Sequence, residues 1–95
     1  MKKLFYVYIL TNKHHTVFYT GITNNLERRY SEHVGRCSSF SRKYNIHKLV
    51  YYENHSKALD AIAREKQIKK WAKRKKIFLI ELINPSWTDL ALAQC

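Results

Sequence analysis

Arg29, His33 and Glu65 stand where a packed helix would place apolar side chains. A helix read from Asn25 to about Val34 carries Leu26, Tyr30 and Val34 on one stripe, and the same three- and four-residue spacing puts Arg29 and His33 there too. Such groups are out of place in a plain core helix. Each alone has a plain reading, Arg29 as half of a salt bridge and His33 as an edge histidine. Together they imply a polar pocket. Glu65 interrupts a second stripe of Ala58, Ala61, Ile62, Ile68 and Ala72. A buried carboxylate needs a partner. Arg64, Lys66 or Lys69 can supply one as an ion pair, or Glu65 can serve as a metal ligand or general base. Tyr8 and Tyr19 fall on adjacent strands of one hairpin, where their side chains can be near neighbours. Tyrosines of this kind otherwise pack in a sheet with the hydroxyl at the rim.

The elements that must position these groups are legible in turn. Leu4 to Thr11 is rich in β-branched and aromatic residues and reads as a strand. Its parity puts Tyr6, Tyr8 and Leu10 on one face and Phe5, Val7 and Ile9 on the other. Asn12 to Thr16 is a hairpin connection, and Val17 to Thr23 returns. Tyr19 and Gly21 share one face of that strand; Phe18, Thr20 and Ile22 take the other. A glycine inside a strand often marks close approach of another group. Asn24 is read as the cap of the first helix, with Glu27 completing a capping box. Arg36 to Lys48 is a basic loop. Leu49 to Glu53 is a third strand, able to pair with either hairpin strand. Ser56 is read as the cap of a helix from Lys57 to about Lys70. A third helix runs to about Ile83, where Asn84-Pro85 stops it. The result is an α+β domain over 1–95, a three-stranded antiparallel sheet flanked by three helices in the order β-β-α-β-α-α. Residues 86–95 form a C-terminal cap or tail.

The charge points to the partner. The 95 residues hold 18 lysines and arginines against 7 acidic residues, a formal net charge of +11. That balance predicts an anionic partner, with nucleic acid ahead of a membrane surface. No apolar run approaches the roughly 18 residues of a spanning helix. Two cysteines without metal-ligand spacing fit a cytoplasmic protein with free thiols. Arg64, Lys66, Lys69, Lys70, Lys73, Arg74, Lys75 and Lys76 crowd one helical region, with Arg36, Arg42, Lys43, Phe40 and Tyr44 in the loop. Carboxylates are too few to balance them, so phosphate contact is the better reading. Such contacts hold a backbone without reading sequence.

The segments Tyr6-Val7-Tyr8 and Tyr19-Thr20-Gly21, followed by Arg29, His33, Glu65 and Asn84, resemble the motif series of the GIY-YIG nuclease superfamily. The resemblance covers nearly the whole chain and is nearest to small, stand-alone bacterial members. Tyr6 and Val7 replace the Gly and Ile of the first motif, and Thr20 the Ile of the second. Both motif tyrosines and the glycine are kept. The resemblance implies metal-dependent hydrolysis of a phosphodiester. Glu65 would be the single metal ligand for Mg²⁺ or Mn²⁺, a workable site because Mg²⁺ keeps much of its water. Tyr8, favoured as base, or Tyr19 would deprotonate or align the attacking water. Arg29 would stabilise charge on the phosphoryl oxygens. His33 would relay a proton or bind phosphate. Asn84 would orient Glu65 or the scissile group, and Gly21 would admit the helix or the substrate.

Two readings follow. One is an endonuclease acting on DNA, with a partner protein supplying targeting. The other is a non-catalytic nucleic-acid-binding module that retains the nuclease fold. An interaction domain for acidic proteins or membranes explains the charge but neither Glu65 nor the tyrosines.

Overall fold

Runs of aromatic and β-branched residues build three strands: β1 (Phe5–Thr11), β2 (Phe18–Thr23) and β3 (Lys48–His55). The computed structural model describes residues 3–29, 46 and 48–90. The strands form one antiparallel sheet in the order β2-β1-β3. The third strand therefore pairs with the first, and β2 is left as an edge. A helix, α1, begins at residue 26 and is described as far as residue 29. Then come α2 (Ala58–Lys69) and α3 (Lys73–Ile83). The α+β order expected from the sequence is the order found.

The sheet separates two clusters, following the parity of β1. On one face Val7 and Ile9 pack with Val50, Tyr51, Ala61, Ile68 and Ile80, under α2 and α3. On the other, Tyr8 and Leu10 pack with Leu26, Ile46 and Leu49. A register shift between Ile9 and Leu10 lets both Val50 and Tyr51 join the first cluster. Only Ala61 and Ile68 of α2 are buried, whereas Ile62 and Ala72, expected on the inner stripe, are exposed. The small Ala61 brings the helix onto the sheet along a narrower strip than the spacing suggested.

Both helix caps differ from expectation. Asn25, not Asn24, caps α1: its Oδ1 accepts the Arg28 N–H at 3.0 Å. The Thr23 hydroxyl accepts the Asn25 N–H at 3.0 Å and fixes the turn one residue later. Glu27 then sits too early for a capping box. At α2 the cap position is Lys57 rather than Ser56, with no side-chain bond, and Asp60 supplies the favourable first-turn charge. β3 also runs past Glu53 to His55. There the Glu53 carboxylate accepts from Tyr51, His55 and Arg64, so Arg64 pairs with Glu53 and not with Glu65.

Asn84 ends α3 and ties the chain back. It is 5% exposed. Its Nδ2 donates to Val50 O and Thr88 O, both at 2.9 Å, and its Oδ1 accepts the Thr88 N–H at 3.0 Å. Leu90 N–H donates to Leu49 O at 2.8 Å, and Leu49 N–H to Asp89 Oδ1 at 3.2 Å. These bonds cover the outer edge of β3. Asn84→Ala removes three hydrogen bonds, the one to Val50 O fully buried, and is expected to cost about 3 kcal/mol. A lowered urea midpoint with an unchanged slope checks this.

Candidate active site

The hairpin places Tyr8 directly opposite Gly21. Tyr8 is 1% exposed, and its ring lies across the glycine. A Cβ at position 21 would stand 2.5 Å from Tyr8 Cζ and 3.0 Å from Tyr19 Cε1. Gly21 has no positive φ, so it is required for space rather than for backbone freedom. The two tyrosine rings are 6.2 Å apart and tilted by 35°. Arg29, one turn into α1, donates from Nε to the Tyr8 hydroxyl at 3.2 Å. Burial pushes the Tyr8 phenol up to about 12, outweighing the downward pull of the Arg29 hydrogen bond, and neighbouring Tyr19 adds to the rise. Tyr8 therefore keeps its proton at neutral pH. Gly21→Ala is expected to cost about 1–3 kcal/mol by overpacking. It should also lift Tyr8 off Arg29, seen as a fall in melting temperature with shifted Tyr8 ring resonances.

Glu65 comes from the other side of the sheet. Its turn of α2 lies between Ala61 and Ile68, both packed on the Val7 and Ile9 face. The Glu65 side chain is only 14% exposed and is paired with Lys69 Nζ at 3.0 Å. Tyr8, Tyr19, Gly21 and Arg29 thus share one face, and Glu65 belongs to the helix over the opposite one. Tyr8 leans over Gly21 toward the free edge of β2, and on the opposite face α2 lies over β2 and β1.

Thr20, also on β2, was missed by sequence reasoning. It stands opposite Ile9 and shares the α2-covered face. Its hydroxyl is buried and has no hydrogen-bond partner. A threonine between Phe18 and Ile22 on an inward face was the available signal. Asn84 is placed differently from its expected role. All its side-chain bonds go to Val50 and Thr88, so it braces β3 and makes no bond to Glu65. His33, Arg36, Arg42 and Lys43 lie outside the described residues.

The basic helical region is mostly exposed, as at Lys66, Lys69, Lys70, Arg74 and Lys75. Several of its cations have local contacts. Lys73 donates to Thr16 O at 2.6 Å, clipping α3 to the hairpin turn. Lys75 lies 4.5 Å from the centre of the Trp71 ring, which Arg64 also approaches. Lys76 is half-buried, and burial, with Lys69 nearby, lowers its ammonium pKa.

The residues fit a hard divalent cation. Glu65 offers a shielded carboxylate, and the Thr20 hydroxyl, buried without a hydrogen-bond partner, lies on the sheet face that the same helix covers. Among the described residues no three His, Cys, Asp or Glu side chains gather. A cation here would have one protein carboxylate and complete its shell with water and substrate, which suits Mg²⁺.

The chain is similar to known proteins over most of its length. A family model for the GIY-YIG catalytic domain matches residues 4–77. A UPF0213 protein of Clostridium perfringens is 42% identical over 79% of this chain and 81% of its own length. One from the archaeon Natronomonas pharaonis is 37% identical, covering 79% and 88%. The solution NMR structure of a UPF0213 protein from Bacillus halodurans superposes with a TM-score of 0.57 at 26% identity, covering 90% of this chain and 92% of that one.

Proposed function

This chain belongs to the GIY-YIG family of nuclease domains, and we propose that it cleaves phosphodiester bonds in DNA with the help of Mg²⁺ or Mn²⁺. The observation that carries the proposal is the Arg29–Tyr8–Gly21 contact, a buried hydroxyl held by a cation and leaning across the glycine of the edge strand. Tyr8 accepts from Arg29 and also shares a hydrogen bond with Tyr19, so the two hydroxyls form one network. Tyr8 aligns the attacking water, with Tyr19 beside it. A pKa pushed up to about 12 favours this aligning role over that of a standing base. Arg29 offsets the charge that grows on the phosphoryl oxygens. Glu65 would hold the cation once Lys69 swings aside, an inexpensive move for an exposed lysine. When bound, the cation supplies Lewis-acid stabilisation of the phosphate and leaving oxygen. His33, four residues beyond Arg29 in the sequence, would hold phosphate or pass a proton. The exposed lysines and arginines of α2 and α3, with Arg36, Arg42 and Lys43, would track the backbone. A targeting partner would supply what backbone contacts lack in specificity. No helix among the described residues is long and apolar enough to cross a membrane.

The test is nicking of supercoiled DNA by the purified chain with Mg²⁺ or Mn²⁺, with an RNA arm in parallel. Cleavage should stop in EDTA and fall about 10²-fold in Tyr8→Phe, which keeps the ring that fills the core. The Lys69–Glu65 pair also suits a binding module without turnover. That reading predicts binding that weakens steeply with salt and no cleavage under any metal.

A further inference from the structure

A cavity of about 300 Å³ opens beside the candidate site, lined by Tyr6, Asn24, Asn25, Leu26, Glu27 and Tyr52. It sits across the sheet from the β2 edge. Tyr8 is flanked in register by Gly21 of β2 on one side and by Tyr52 of β3 on the other. The Tyr6 and Tyr52 rings meet edge to face at 6.3 Å and 66°, so one aromatic wall meets another at an angle. The first turn of α1 forms the opposite wall, and the same turn supplies Arg29.

We infer that this cavity is a nucleobase subsite, holding an unpaired base next to the scissile phosphate. The inference rests on the nuclease reading for the position of the phosphate. Size limits the occupant, because the volume is at the small end for ligand pockets and admits one flat ring system but no duplex. Charge orients it: Arg29, in the same turn of α1, attracts a phosphate on the Tyr8 side of the cavity. The chemistry of the lining matches as well. Tyrosine faces stack on bases. Exposed Asn24 offers both an amide donor and an acceptor to a base edge, and Glu27 can accept from the exocyclic amine of adenine or cytosine. Tyr52, in the cavity wall, is the register partner of Tyr8, so the cavity and the candidate site adjoin on one face of the sheet. The preferred substrate is then a strand that is single, flapped or distorted at the cut.

The test measures binding in EDTA, where cleavage does not interfere. Fluorescence anisotropy compares the full chain on a short single strand, on the same strand carrying one abasic position moved along it, and on the duplex. An abasic residue at one position should weaken binding about 5- to 150-fold, the range for losing one stacked base. Tyr52→Leu should weaken single-strand binding by a similar factor and leave duplex binding unchanged. Because the abasic arm uses wild-type protein, a misfolded variant does not decide the result. Equal affinity for intact and abasic strands at every position, or affinity for neither, overturns the subsite. Loss at one abasic position without cleavage in Mg²⁺ keeps the subsite and sinks the nuclease reading instead.

Discussion

Glu65→Ala is expected to lower cleavage by about 10³-fold or more while leaving the fold intact. The carboxylate lies on the turn of α2 between Ala61 and Ile68, which pack on the sheet, and a metal held there would supply several kcal/mol of charge stabilisation. Each 1.36 kcal/mol is a factor of ten in rate, so the loss is large. Stability should hardly change. The Lys69 pair is an i,i+4 contact with a half-exposed lysine, worth a few tenths of a kcal/mol at most. Single-turnover nicking rates against the wild type, together with a thermal melt, separate the two effects. Full activity in a clean preparation would remove Glu65 from the site.

The second large effect is alkaline unfolding. Tyr8 and Tyr51 are both raised from 10.0 to about 12. Burial is the main cause in each; at Tyr51 the hydrogen bond to Glu53 adds to it. The folded state holds these protons more tightly than the unfolded chain does. The stabilisation is therefore complete below pH 10 and is lost as pH rises from 10 toward 12. Two units correspond to about 2.7 kcal/mol per tyrosine, roughly 5 kcal/mol together. A small domain has about 5–15 kcal/mol in all. Cooperative unfolding is expected in that window, coincident with the tyrosinate absorbance. Tyr51→Phe should move the midpoint upward. Tyrosinate forming near pH 10 ahead of unfolding would contradict the shifts.

Parity carried most of the fold. The alternation in Phe5–Thr11 assigned Tyr8 and Ile9 to opposite faces, and the two clusters divide there. Sheet order was not legible, because it depends on the C-terminal segment closing the far edge of β3 through Asn84 and Asp89. Those bonds span 34 and 40 residues and leave no local pattern. The cap of α1 slipped by one residue because Thr23, inside a strand, holds the turn through its side chain. The stripe containing Arg29 was visible; its bond to Tyr8, 21 residues away, followed only from the hairpin register. Asn84 was legible as a helix stop, yet its amide serves β3. Glu65 was picked out by its stripe, but nothing in the spacing said that its helix covers the face opposite the tyrosines.

That division of the site between two faces is the claim on which the rest turns, and Mn²⁺ tests it. Paramagnetic broadening in a ¹⁵N spectrum of the full chain reports which amides lie near the bound ion. At substoichiometric Mn²⁺ the amides of Gly21 and Thr20 on β2 should broaden together with that of Glu65 on α2, and Glu65→Ala should abolish all three effects. Broadening confined to α2, or unchanged in Glu65→Ala, would mean that the carboxylate and the hairpin hydroxyls do not serve one metal-bearing site.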